Sequence, residues 1–165
     1  LKSDCNITNE TVFVLNDKKS WDFFFTARHS IPDLALKKTK ELDGISIITD
    51  TIVPPENFNT FLKKTHNIIQ ESNIEYLLFG HMGDCHLHFH LIYKKEQSDQ
   101  VIKIYNNIVD LSSNLGGVYS AEHGTGKRKR IDFIKCYGDS AAQQIKKTKL
   151  FFDPDLLVNK GNIIS

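Results

Sequence analysis

The chain lacks most of what would mark a membrane, secreted or nucleic-acid-binding protein. No apolar run is long enough to cross a bilayer, and no charged start followed by a short apolar stretch signals export. Three cysteines (Cys5, Cys85 and Cys136) are odd in number and widely spaced, with no C-x-x-C pair, which excludes a disulfide framework. The expectation is a reducing compartment, the cytoplasm, with no more than peripheral contact with the inner face of a membrane. Lys and Arg number 21 against 20 Asp and Glu, a formal net charge of +1, so no general field draws the chain to a polyanion. The basic run Lys127-Arg128-Lys129-Arg130 has no interleaved aromatics and reads as a solvated helix start, so no nucleic-acid partner is expected. There is no repeat, no low-complexity linker and no dinucleotide fingerprint. Gly124-Thr125-Gly126-Lys127 lacks both the G-x-G-x-x-G spacing and the strand that should precede it. The first residue is Leu1 rather than Met, as expected of a tagged chain, a proteolytic piece or the later part of a longer polypeptide.

What is present is an ordinary globular composition, 40% hydrophobic and 25% charged over 165 residues, enough for a single domain over 1–165 with a real core. Thr11 to Leu15 is β-branched and aromatic and predicts a short strand. A helix is expected from about Lys18, interrupted by Pro32, with Ser30 capping a second piece to about Leu42. Asp43-Gly44 predicts a turn, and Ile45 to Val53 a strand stopped by Pro54-Pro55. Apolar residues at helical spacing predict helices over about 55–72 and from Val101 to Leu115, the latter ended by Gly116-Gly117. Strands are expected at Tyr76–Phe79 and His86–Tyr93, joined as a hairpin, and a short one at Val118–Ser120. Two last helices are expected, one after Gly126 and one over about Asp139–Phe152. The sum is an α+β fold, an antiparallel sheet covered by helices on one face.

The chemistry concentrates in the middle. Five of the seven histidines lie between His81 and His123. Side chains alternate on a strand, so His86, His88 and His90 point one way while Leu87, Phe89 and Leu91 point the other. His81 precedes the Gly83-Asp84 turn and can fold back over the histidine face. Glu122-His123 follows a glycine pair, where backbone can approach closely. Imidazoles with one carboxylate are a ligand set for zinc, manganese or ferrous iron, and two imidazoles plus one carboxylate leave coordination positions open. A solvent-exposed polar stripe would show the same alternation, and the pattern alone does not bring the two segments together.

At these segments the chain resembles the C-terminal domain of the FAD-linked D-2-hydroxy acid dehydrogenases, which include D-lactate dehydrogenase, D-2-hydroxyglutarate dehydrogenase and the glycolate oxidase flavin subunit. The resemblance rests on Gly80 to His90 against G-H-x-G-D-x-x-L-H-x-N, and on Ser120 to Lys129 against G-x-E-H-G-x-G-x-x-K. Asp153 to Gly161 resembles the family's D-P-x-x-x-x-N-P-G-K ending more loosely, as do Trp21 to Arg28 and Asp50 to Pro54 their counterparts. It implies a ferredoxin-like cap domain, with His81, His88 and Glu122 as metal ligands and His123 as the catalytic base. It implies Arg28, His90 and Lys129 as substrate contacts and Asn159 beside the flavin. His90 stands where the family usually has asparagine, Cys85-His86 replaces the commoner Gly-Asn, and Lys160 replaces a proline. The family carries an upstream FAD-binding domain, which would hold most of the FAD and is not in this chain.

The resemblance further implies that a small 2-hydroxy acid is held through its hydroxyl and carboxylate. His123 then accepts the hydroxyl proton, Arg28 clamps the carboxylate, and hydride leaves for the flavin. Two other readings stand beside it. One is a metal-dependent hydrolase, which needs no flavin domain; the other is a cap domain that is silent in isolation. Nothing in the sequence decides whether the chain pairs with a second copy.

Overall fold

A computed structural model describes residues 15–164. The strand expected at Thr11–Leu15 falls outside them but for Leu15. The chain divides into two compact units at Lys38/Thr39.

Among the described residues, the first unit consists mainly of one long helix. Asp17 caps it by accepting the Ser20 backbone N–H at 2.8 Å, and α1 runs Lys18–Glu41 without a break. Pro32 lies inside α1 and does not interrupt it, against the sequence expectation. A proline costs one backbone hydrogen bond, but Ala27, Leu34, Ala35, Leu36, Lys37 and Lys38 on either side are strong helix formers. Ser30 does not cap a new helix; its hydroxyl donates to the Ala27 carbonyl at 2.7 Å.

The second unit is built on a three-stranded antiparallel sheet of order β1-β3-β2: β1 Ile45–Ile48, β2 Glu75–His81 and β3 His86–Tyr93. The register pairs Ile48 with His90, Phe79 with His88 and His81 with His86. Helices α2 (Pro55–Gln70) and α3 (Ser98–Asn114) cover one face. There Phe61 and Ile69 of α2 and Val101, Ile104 and Ile108 of α3 close on Phe89 and Leu91 of β3. Each such side chain taken from water contributes about 1.5–3 kcal/mol. The fold is therefore α+β, with the apolar half of β3 facing the helices and its histidine half facing away.

Two differences from the sequence reading concern the same region. The strand expected over Ile45–Val53 ends at Ile48, and the one expected at Val118–Ser120 is reduced to isolated bridges. Asp50 bridges Ser120, and Ile52 bridges both His86 and Val118. The chain leaves the regular ladder here, where the buried Asp50 carboxylate is surrounded by donors drawn mostly from outside the sheet. Gly117 permits the approach, since a Cβ there would run into the Ile52 carbonyl oxygen. Helix α4 (Arg130–Phe152) is broken at Gly138 (φ 79°, ψ 167°), so the two helices expected from the sequence are its two arms. Its first arm meets α3 through Phe133 and Cys136, against Tyr105 and Val109.

Candidate metal centre

His88 is the middle of the site. Its Nδ1 lies 3.0 Å from the Thr49 carbonyl oxygen, which can only accept, so Nδ1 carries the ring proton. The Nε2 lone pair then points at Glu122 Oε1, 3.0 Å away. A lone pair facing a carboxylate oxygen is repulsive unless a cation, a proton or a metal, sits between them. Glu122 Oε2 lies 3.5 Å from His81 Nε2 at the end of β2, so the same carboxylate faces two imidazoles. Burial raises the Glu122 pKa, but the surrounding imidazoles, His81 first, pull it below the ordinary value. Ligand atoms of His81, His86, His88 and Glu122 all lie within 4.8 Å of one another, as do those of Asp50, His88, Glu122 and His123. This donor set fits a borderline divalent cation.

The site has a floor and a mouth. The His86 and His88 side chains are 5% exposed, whereas those of His81, Glu122 and His123 are 37%, 44% and 42%. His123 stacks on His88 with centroids 5.0 Å apart and planes at 6°, and its Nε2 lies 3.4 Å from Glu122 Oε1. An imidazole at the open side, against His88 and Glu122, can reach a molecule entering there.

Behind the floor is a residue whose place the sequence did not reveal. Asp50, fully buried, accepts from Ser120 Oγ at 2.6 Å, Lys129 Nζ at 3.0 Å and His86 Nε2 at 3.1 Å. The backbone N–H groups of Glu122 and His123 donate to it at 3.3 and 3.0 Å. Burial pushes its carboxyl up, but these hydrogen bonds overcome that and hold it far below the usual carboxylate range. The signals in the sequence were a lone acid inside a β-branched run ending at Pro54 and the loose family resemblance over Asp50 to Pro54, neither of which gave it a role.

The remaining expected residues are placed as follows. Lys129 spends its ammonium on Asp50 and on Ser120 Oγ, 2.9 Å away. His90 is buried, with Nε2 3.3 Å from Thr39 Oγ1, and burial lowers its pKa. Burial, then the neighbouring His88, lowers that of His86. Arg28 stands exposed on α1 in the first unit. Asn159 is an exposed residue with left-handed backbone (φ 48°), in a tail that Asp153 gathers by accepting the backbone N–H groups of Leu157 and Val158.

Comparison with known proteins decides the family. The model of the FAD linked oxidases, C-terminal domain, matches residues 4–163. The chain belongs to this family. It is 26% identical over 153 residues to a D-lactate dehydrogenase of Archaeoglobus fulgidus, covering 93% of this chain and 33% of that protein. It is 26% identical over 162 residues to the mitochondrial D-lactate dehydrogenase [cytochrome] 1 of Saccharomyces cerevisiae, covering 96% of this chain and 27% of that one. It is 29% identical over 122 residues to a D-2-hydroxyglutarate dehydrogenase of Haemophilus influenzae, covering 72% and 12%. The chain thus spans a third or less of the length of these relatives. No helix among the described residues is long and apolar enough to cross a membrane.

Proposed function

We propose that this chain supplies the metal and substrate half of an FAD-dependent dehydrogenase acting on a small D-2-hydroxy acid of the lactate, glycolate or 2-hydroxyglutarate type. The observation that carries the reading is the His88 Nε2–Glu122 Oε1 approach of 3.0 Å, with the His88 Nδ1 proton committed to Thr49. His81, His88 and Glu122 are the ligands, for zinc, manganese or ferrous iron. A divalent cation there, when bound, lowers the pKa of a hydroxyl it ligates. His123, at the mouth, accepts the hydroxyl proton as general base, an imidazole being suited to that near neutral pH. The resemblance to the family gives Arg28, His90 and Lys129 as the residues that contact substrate. The flavin, held mainly by an upstream FAD-binding domain and touched here by Asn159, supplies the hydride acceptor when bound.

The family match and the names of the relatives support a redox reading over a hydrolase that would use the same ligands on water. The test is elemental analysis of the mildly purified chain. About one equivalent of divalent metal is expected, and none retained would overturn the proposal.

A further inference from the structure

Four imidazoles and two carboxylates are packed together here, and the arrangement around Asp50 gives the two carboxylates different roles. We infer that Asp50 is the positioning residue of the metal centre: it holds the backbone of Glu122 and His123 in place at the cation and is not itself a ligand. This rests on the metal reading above.

Three observations carry it. Asp50 is ringed only by donors: one hydroxyl, one ammonium, one imidazole and two backbone N–H groups. A carboxylate so occupied has no lone pair to give a metal, so Asp50 drops out of its own group of candidate ligands although its atoms lie within range. Next, the two N–H groups belong to Glu122 and His123 themselves, 72 and 73 residues further along the chain. The ligand carboxylate and the base are held by the backbone that carries them, in a segment with no regular ladder to fix it. Last, because Asp50 can only accept, His86 Nε2 donates its proton to Asp50, so the same carboxylate also orients the imidazole on the floor of the site. The proposed ligands remain His81, His88 and Glu122. Three protein ligands leave room for substrate, whereas four would close a tetrahedral site.

Cobalt(II) titration of the full 165-residue chain, followed by visible absorption, tests this. Asp50→Asn, which keeps the shape but turns an acceptor oxygen into a donor, is expected to bind cobalt at least about tenfold more weakly and with an altered band, because Glu122 is no longer held. Val101→Ala, a cavity in the helix-side core, lowers the melting temperature but is expected to leave affinity and band as in the wild type. Ser120→Ala and Lys129→Met each remove one Asp50 contact and are expected to fall in between. The inference is overturned if Asp50→Asn keeps the wild-type affinity and band, or loses no more affinity than Val101→Ala at a similar loss of melting temperature. Should Asp50→Asn not fold, wild-type binding by both Ser120→Ala and Lys129→Met overturns it. A wild-type chain that binds no cobalt is a different result: it removes the metal reading itself, and this inference with it.

Discussion

His88 and Glu122 are 34 residues apart in sequence, yet an imidazole nitrogen of one and a carboxylate oxygen of the other stand 3.0 Å apart. The contact joins the central strand of the sheet to an irregular segment, so it depends on everything that brings Ser120–His123 against Thr49–Ile52.

The first prediction separates ligand from neighbour. His88→Ala should abolish retention of divalent metal, while His86→Ala should keep it, because it is His88 Nε2 that is in direct contact with Glu122, whereas His86 Nε2 donates to Asp50. Metal content after dialysis is the measurement. Equal loss from both variants would mean the ligands have been wrongly assigned.

A second concerns the approach of the two segments. Gly117→Ala places a methyl against the Ile52 carbonyl oxygen and against Ser112, whose hydroxyl donates to that same carbonyl at 3.1 Å. The Ile52–Val118 pairing should open, at a cost of about 2 kcal/mol or more. Chemical denaturation should show the destabilisation and metal analysis a loss of binding; a variant with wild-type stability would refute the steric argument.

A third concerns pH, away from the metal. Asp132 is buried on the first turn of α4, and Tyr105 O–H donates to it at 3.3 Å. Burial is the largest influence and raises its pKa above the ordinary 3.8, against the lowering effects of Tyr105 and Lys135. A carboxyl whose folded pKa is raised favours the fold most below its unfolded pKa, and that contribution is lost as pH rises through the folded value. At neutral pH the buried charge is therefore a cost. Asp132→Asn keeps an acceptor for Tyr105 and should raise the melting temperature by a few degrees at pH 7. The gain should shrink as pH falls toward 3.8. A gain that is the same at both ends would show that ionisation is not its source.

A fourth concerns activity. The chain covers about a third of the Archaeoglobus fulgidus relative, so by itself, with FAD and a dye acceptor added, it should not oxidise D-lactate. Steady-state dye reduction is the assay, and turnover would show that these residues bind flavin productively without a further domain.

Much of this was readable before any coordinates. The alternation of His86, His88 and His90 with Leu87, Phe89 and Leu91 fixes a strand with two chemistries, and a period-2 pattern of that sharpness has no helical counterpart. The spacing of Phe61, Leu62 and Ile69, and of Val101, Ile104 and Ile108, marks the helices that cover it. Pro32 misled because proline is a local signal and the residues around it outweigh it. The strand drawn through Ile45–Val53 ran too long because β-branched residues look alike whether they pair in a ladder or wrap a buried charge. Asp50 stayed hidden for a related reason: its partners Ser120, Glu122, His123 and Lys129 are 70 to 79 residues away, and no short-range pattern encodes such a meeting.

β3 lies between β1 and β2, and its residues from His86 to Ile92 are all buried. One slip of its hydrogen-bonding register would drive three imidazoles into the oily layer and send Phe89 and Leu91 toward the ligands. On the proposed metal reading, a molecule that has taken the wrong pairing would also fail to capture the ion, and ion uptake would then double as a proofreading signal for the fold.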